Sequence, residues 1–246
     1  MALSGEAFVR EIQRMVERKH SKDHPVIAAI EAGELSKKQL KGFIGQFYLY
    51  FPKPFPKPIA AMLGRCPEDP ELEHMWIDNV MEEATGAGTK TGGHKDLYQR
   101  FAVACGYSEE ELNAVAPLPE TKAFLAWREL LINQRSWLEL YAGQGFCLEG
   151  TAAPRMTRIV NGLVNHYGFD RKSRDIEYWT VHMSVDEEHM RVGPYAVAKY
   201  AVSDFDQERV RQAVQQTLDI FWLALDGVKR AFVDEDPLYA DWRRTL

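Results

Sequence analysis

Apolar residues recur every three or four positions along nearly the whole chain, and the alternating β-branched runs that mark strands are scarce, so the pattern predicts an all-α fold. Ser4 is placed to cap a first helix whose apolar side carries Phe8, Ile12 and Met15, and Pro25 opens a second, shorter helix that ends by Gly33. Ser36 starts a third, with Leu40, Phe43, Ile44 and Phe47 on one side. That helix runs into Pro52, Pro54, Pro56 and Pro58, whose missing amide donors must break or bend it, and such a bend suits a pocket wall. Further helices are predicted over 70 to about 84, 94–104, 109–115, 119–149, 153–167, 173–202 and 206–233, with a Gly- and Thr-rich loop over 84–93. No repeat, low-complexity block or long linker interrupts this pattern, which predicts one domain of long helices over 1–246.

Composition narrows the function classes. Of the 246 residues 46% are hydrophobic, enough for a substantial core and too many for a disordered chain. The net charge is −6 and the basic residues are interleaved with acids, so no nucleic-acid footprint is expected. Ser4, Glu6, Arg10 and Glu11 interrupt any apolar leader, and no stretch reaches membrane-spanning length, which predicts a cytoplasmic protein. Cys66, Cys105 and Cys147 are odd in number and lack CxxC spacing, arguing for reduced, mostly buried thiols.

The sharpest chemical signal is His182, Asp186 and His189, a His-x-x-x-Asp-x-x-His pattern in a strongly helical stretch. At about 100° per residue, Asp186 falls roughly 40° to one side of His182 and His189 roughly 20° to the other, so three metal-ligand types share one face. Any one of them alone reads as a hydrogen-bonded core histidine or a solvated acid. Glu149 follows the small and apolar run 141–148, where a buried carboxylate would be expensive without a cation; a water-facing position at a helix end is the equal alternative. Glu83 ends the helix that carries Trp76, Ile77 and Val80, and His94 opens the next; taken singly, both look like cap or surface residues. Together the six supply three carboxylates and three imidazoles. That inventory suits two octahedral irons bridged by carboxylate better than a closed zinc site, and it also admits mixed Mn/Fe occupancy.

The pattern resembles the haem-oxygenase-like diiron oxidases and oxygenases, in the superfamily that also holds thiaminase-II and pyrroloquinoline-quinone synthase. The resemblance runs through His24-Pro25, the stretch 33–40, Gln46-Phe-Tyr-Leu-Tyr50, Asp78-Asn-Val-Met-Glu-Glu83, the stretches 94–101 and 106–112, Glu149, and the segment from His182 to His189. It implies a haem-oxygenase-like helical bundle and places the family's metal ligands on Glu83, His94, Glu149, His182, Asp186 and His189. The loop between Glu83 and His94 is longer than in the shortest members, which leaves Glu82 as the alternative to Glu83. One branch is implied to make para-aminobenzoate from its own tyrosine, but Ile27 stands where that branch has the tyrosine, so that reaction is not carried over.

The expectation is therefore a non-haem diiron oxidoreductase that uses O2 as co-substrate, and an external electron donor, to oxidise a small organic molecule such as an amino acid or fatty acid. Phe47, Tyr50, Phe51, Phe146 and Tyr178 are candidate pocket walls, although aromatic residues at helical spacing are usually core. The alternative is a metal-free oxidase or hydrolase of the pyrroloquinoline-quinone synthase or thiaminase-II type, with histidines as acid and base or Cys147 as nucleophile. Haem degradation, with His20 or His24 as axial ligand, fits poorly with carboxylates crowded at the centre. A binding module without catalysis would leave inward-facing charges unexplained. A homodimer is compatible with the enzyme reading.

Overall fold

Phe8, Ile12 and Val16, one helical turn apart, bury one stripe of α1 (Gly5–Arg18) and leave its charged residues in water. In the computed structural model, which describes residues 1–183 and 191–244, every regular element is helical. His24 caps α2 (Pro25–Glu31) through Nδ1, which accepts from the Val26 amide. Ser36 and Gln39 close a reciprocal capping box on α3 (Lys37–Tyr50). The proline run ends α3 as expected, but a short α4 (Lys57–Leu63), with Pro58 in its first turn, follows it. Pro58 lacks only a donor that the first turn would leave unbonded, so the last of the four prolines begins a helix instead of preventing one.

The next helices are α5 (Pro70–Thr85), α6 (His94–Ala104), α7 (Glu109–Asn113) and α8 (Pro119–Gln134). A single helix over 119–149 does not form. The chain breaks at Arg135, where Ser136 and Glu139 make another capping box, and restarts as α9 (Trp137–Ala142). It then widens to π geometry over Gly143–Glu149, where the Gly150 amide bonds to the Gly145 carbonyl five residues back. The Ser-x-x-Glu spacing of Ser136 and Glu139 is the signal that marks this break.

After α10 (Ala152–His166), the helix expected over 173–202 is also divided. A 3-10 turn (Arg174–Ile176) leads into α11 (Glu177–Val181), which stops at His182, and α12 (Val192–Tyr200) resumes beyond the undescribed residues. The long α13 (Asp204–Val228) passes into a second π segment (Lys229–Val233), and α14 (Ala240–Arg243) ends the described chain. The two sides of the bundle meet in one aromatic core. Phe47 lies at its middle, with ring centroids 5.0 Å from Trp179, 5.2 Å from Phe51 and 5.9 Å from Tyr98. No helix among the described residues is long and apolar enough to cross a membrane.

Candidate metal centre

The candidate site is assembled at helix ends. Asp69 caps α5, accepting from the Glu71 and Leu72 amides, while Lys199 and Tyr200, each 2.8 Å away, hold its carboxyl down to about 2. Gly86, in the left-handed conformation at φ 65°, closes the other end of the helix and turns the chain into the loop that leads to His94. The last turn of α5 carries Glu82 and Glu83, both buried.

These neighbouring acids have different surroundings. Glu82 accepts the Gly88 and Thr89 amides at 2.6 and 3.2 Å together with the Thr89 hydroxyl, so it ties down the glycine-rich loop. Burial alone would raise its pKa, but the Thr89 hydroxyl and the two loop amides outweigh burial and lower it. Glu83 instead faces two imidazoles. Its Oε2 is 3.1 Å from His94 Nδ1 and its Oε1 is 4.0 Å from His182 Nε2. On its other side His94 turns Nε2 towards Glu82, at 3.3 Å. Burial disfavours a charged His94, yet Glu83 and then Glu82 outweigh it, and the net shift is upward.

His182 ends α11, and its Nδ1 lies 2.5 Å from the Tyr178 carbonyl one turn earlier. A carbonyl only accepts, so Nδ1 carries a proton, and in the neutral imidazole Nε2, 4.0 Å from Glu83, keeps its lone pair. The His182 and His94 rings stand 4.5 Å apart. One ligand atom from each of Glu83, His94 and His182 lies within 4.8 Å of the others. Atoms that share one ion at bond lengths of ~2.1 Å are about 3–4 Å apart, so small side-chain adjustments would let all three bind together.

Glu149 borders the same place. At the end of the π segment it accepts from Gln144 Nε2 at 2.6 Å, and with Glu83 and His182 it lines a cavity of about 20 Å³, roughly the space of one water. The apolar part of this wall includes Phe51, Phe55, Leu148, Met156 and Tyr178. Of the candidate wall residues, Phe51 and Tyr178 line this cavity. Phe47 and Tyr50 are core, and Phe146 lines a separate groove beside His20. Asp186 and His189, expected to share one face with His182, lie outside the described residues.

Arg155 carries no signal in the sequence that would single it out. It is 1% exposed, lines the cavity, donates to Ser21 Oγ and Thr151 Oγ1 at 2.7 and 2.9 Å, and stacks over Phe221 and Phe51. An arginine on an amphipathic helix ordinarily reads as surface, and only the tertiary packing turns this one inward. His20 and His24 serve as caps elsewhere, each pulled down to about 4 chiefly by burial. Cys147 is fully buried, which pushes its thiol well above the usual range and makes it a poor nucleophile.

Residues 41–222 match a protein family described as iron-containing redox enzymes. The 4-aminobenzoate synthase of Chlamydia trachomatis is 30% identical over 227 residues, covering 89% of this chain and 91% of that protein. The pyrroloquinoline-quinone synthase of Rhizobium rhizogenes is 25% identical over 234 residues, covering 94% and 92%. The crystal structure of a TenA homologue from Pseudomonas syringae superposes with a TM-score of 0.75 at 17% identity, over 91% of this chain and 93% of that one. The fold is accordingly the haem-oxygenase-like helical bundle.

Proposed function

Because this chain belongs to the family of iron-containing redox enzymes, we propose that it is a non-haem diiron oxidase or oxygenase that consumes O2 to oxidise a small organic substrate. The observation that carries this reading is the convergence of Glu83, His94 and His182, two of which, Glu83 and His182, line a cavity together with Glu149. Mixed imidazole and carboxylate donors suit iron or manganese. Glu83, His94, Glu149 and His182, with Asp186 and His189 from the undescribed segment, would hold the pair, and an external electron donor would reduce it. When bound, the irons supply the redox chemistry with O2.

The protein's own contribution follows from the contacts above. Tyr178 fixes the His182 tautomer that leaves Nε2 free of a proton, and Glu82 is placed to accept the Nε2 proton of His94, leaving Nδ1 facing Glu83. Phe51, Phe55, Leu148 and Met156 keep the approach to the acids apolar and exclude bulk water. Arg155 adds a fixed positive charge to the same wall, which offsets the charge of the clustered carboxylates.

Sacrificial use of a tyrosine, implied for the aminobenzoate-forming branch, is not part of this reading, since Ile27 is fully buried hydrocarbon. The likeness to a pyrroloquinoline-quinone synthase supports a second reading, in which Glu83, His94 and His182 work as acid and base without metal. Anaerobic Fe(II) titration of the apoprotein, followed by rapid mixing with O2, separates the two. About two irons per chain and a transient visible absorption are expected for a diiron enzyme; no bound iron and no O2-dependent absorption would sink it in favour of the metal-free oxidase.

A further inference from the structure

Asn79 is 1% exposed, yet among the described residues neither its amide nitrogen nor its amide oxygen has a hydrogen-bond partner. Buried amides are almost always satisfied, because each unmade bond forfeits the hydration that the group had in the unfolded chain. A leucine of similar size would avoid that loss. The position of Asn79 suggests what offsets it. It lies one helical turn before Glu83 on α5, and residues four apart on a helix are neighbours on one face. Glu83 is the acid set between His94 and His182, and α5 is held at its start by the Asp69 cap and at its end by the loop fastened to Glu82. The helix therefore carries an amide donor, unpartnered among the described residues, one turn before the carboxylate set between the two imidazoles.

We infer that Asn79 is a positioning residue for Glu83: with iron bound, the Asn79 Nδ2 amide donates to the Glu83 carboxylate and fixes its orientation. The inference rests on the metal-site reading above. Hydrogen bonds from behind a ligating carboxylate set its direction and basicity, and losing one typically costs 10–100-fold in metal affinity. Trp76, one turn earlier on the same face, also has an unpartnered indole nitrogen, but its ring is packed edge-on against Tyr141 at 5.0 Å and is accounted for by the core. Asn79 has no such explanation.

The test is an anaerobic Fe(II) titration of apoprotein for the wild type, Asn79→Leu, Asn79→Asp and Asn79→Ala, alongside thermal melts of the same metal-free samples. Asn79→Leu should melt no lower than wild type without metal, because it removes two unsatisfied groups, yet bind Fe(II) at least tenfold more weakly. Asn79→Asp, which is isosteric but carries an acceptor and a negative charge beside Glu83, should be impaired at least as much. If Asn79→Leu does not fold, Asn79→Ala provides the same comparison. Fe(II) affinity within twofold of wild type in a folded Leu or Ala variant would overturn the inference while leaving the metal reading intact. A wild-type protein that binds no iron would overturn both.

Discussion

His182 Nδ1 lies 2.5 Å from the carbonyl oxygen of Tyr178, which fixes the imidazole so that Nε2 faces Glu83 with its lone pair available. His182→Ala removes this donor at the end of a short helix and with it the ring contacts to His94 and Tyr178, both at 4.5 Å. The variant should fold, bind less than half of the wild-type iron and lose at least 100-fold in oxidase activity. Iron analysis, circular dichroism and O2 consumption check this; full iron content in a folded variant would remove His182 from the ligand set.

The two acids at the end of α5 should respond differently to the same substitution. Glu83→Gln withdraws the charge set between two imidazoles and is expected to abolish high-affinity iron binding. Glu82→Gln leaves Glu83 in place but weakens both the loop anchor and the acceptor opposite His94, so iron affinity should fall about 10–100-fold with stoichiometry retained. Titration of both variants decides the matter, and the reverse ranking would make Glu82 the ligand.

Gly145 and Gly193 let the π segment and α12 touch. A Cβ on Gly145 would sit 2.7 Å from the Gly193 Cα, with only backbone there to yield. Gly145→Ala should therefore cost about 1–3 kcal/mol of stability and lower iron occupancy, since the strained segment is the one that carries Glu149. A melt together with iron analysis tests both effects, and an unchanged melting temperature would contradict the packing argument.

His24 gives stability a pH dependence remote from the candidate site. Burial holds its pKa near 4 in the folded protein, opposed by Asp226 at 3.1 Å, against about 6.5 when unfolded. The folded state therefore resists a proton that the unfolded state accepts. Its stabilising effect is complete above pH 6.5, declines as pH falls from 6.5 to 4, and is gone below that, a change on the order of 3 kcal/mol. His20 acts in the same direction. His24→Asn keeps a capping acceptor for the Val26 amide without titrating, so its urea midpoint should fall less steeply over this range than that of wild type.

Helical periodicity alone determined the fold class, because a 3.6-residue apolar repeat has no other way of burying its stripe; the limits of α6 and the cap on α3 were legible for the same local reason. The His-x-x-x-Asp-x-x-His spacing at His182, Asp186 and His189 made a metal chemistry legible as an expectation, since carboxylates and imidazoles are donors that iron takes, whereas Glu83, His94 and Glu149 taken singly read equally well as cap or surface residues. Several features were decided only by tertiary packing. The bundle interrupts the helices that periodicity predicts over 119–149 and 173–202, with a capping box at Ser136, π geometry over Gly143–Glu149 and a stop at His182, because packing sets where a long apolar repeat can remain straight. Which of two adjacent acids faces both imidazoles depends on a loop folding back so that its Gly88 and Thr89 amides bond Glu82, a reversal beyond the helix end that helical periodicity does not encode. The inward turn of Arg155 and the burial of Asn79 likewise come from neighbouring helices, since a sequence records the polarity of a side chain but not what closes over it.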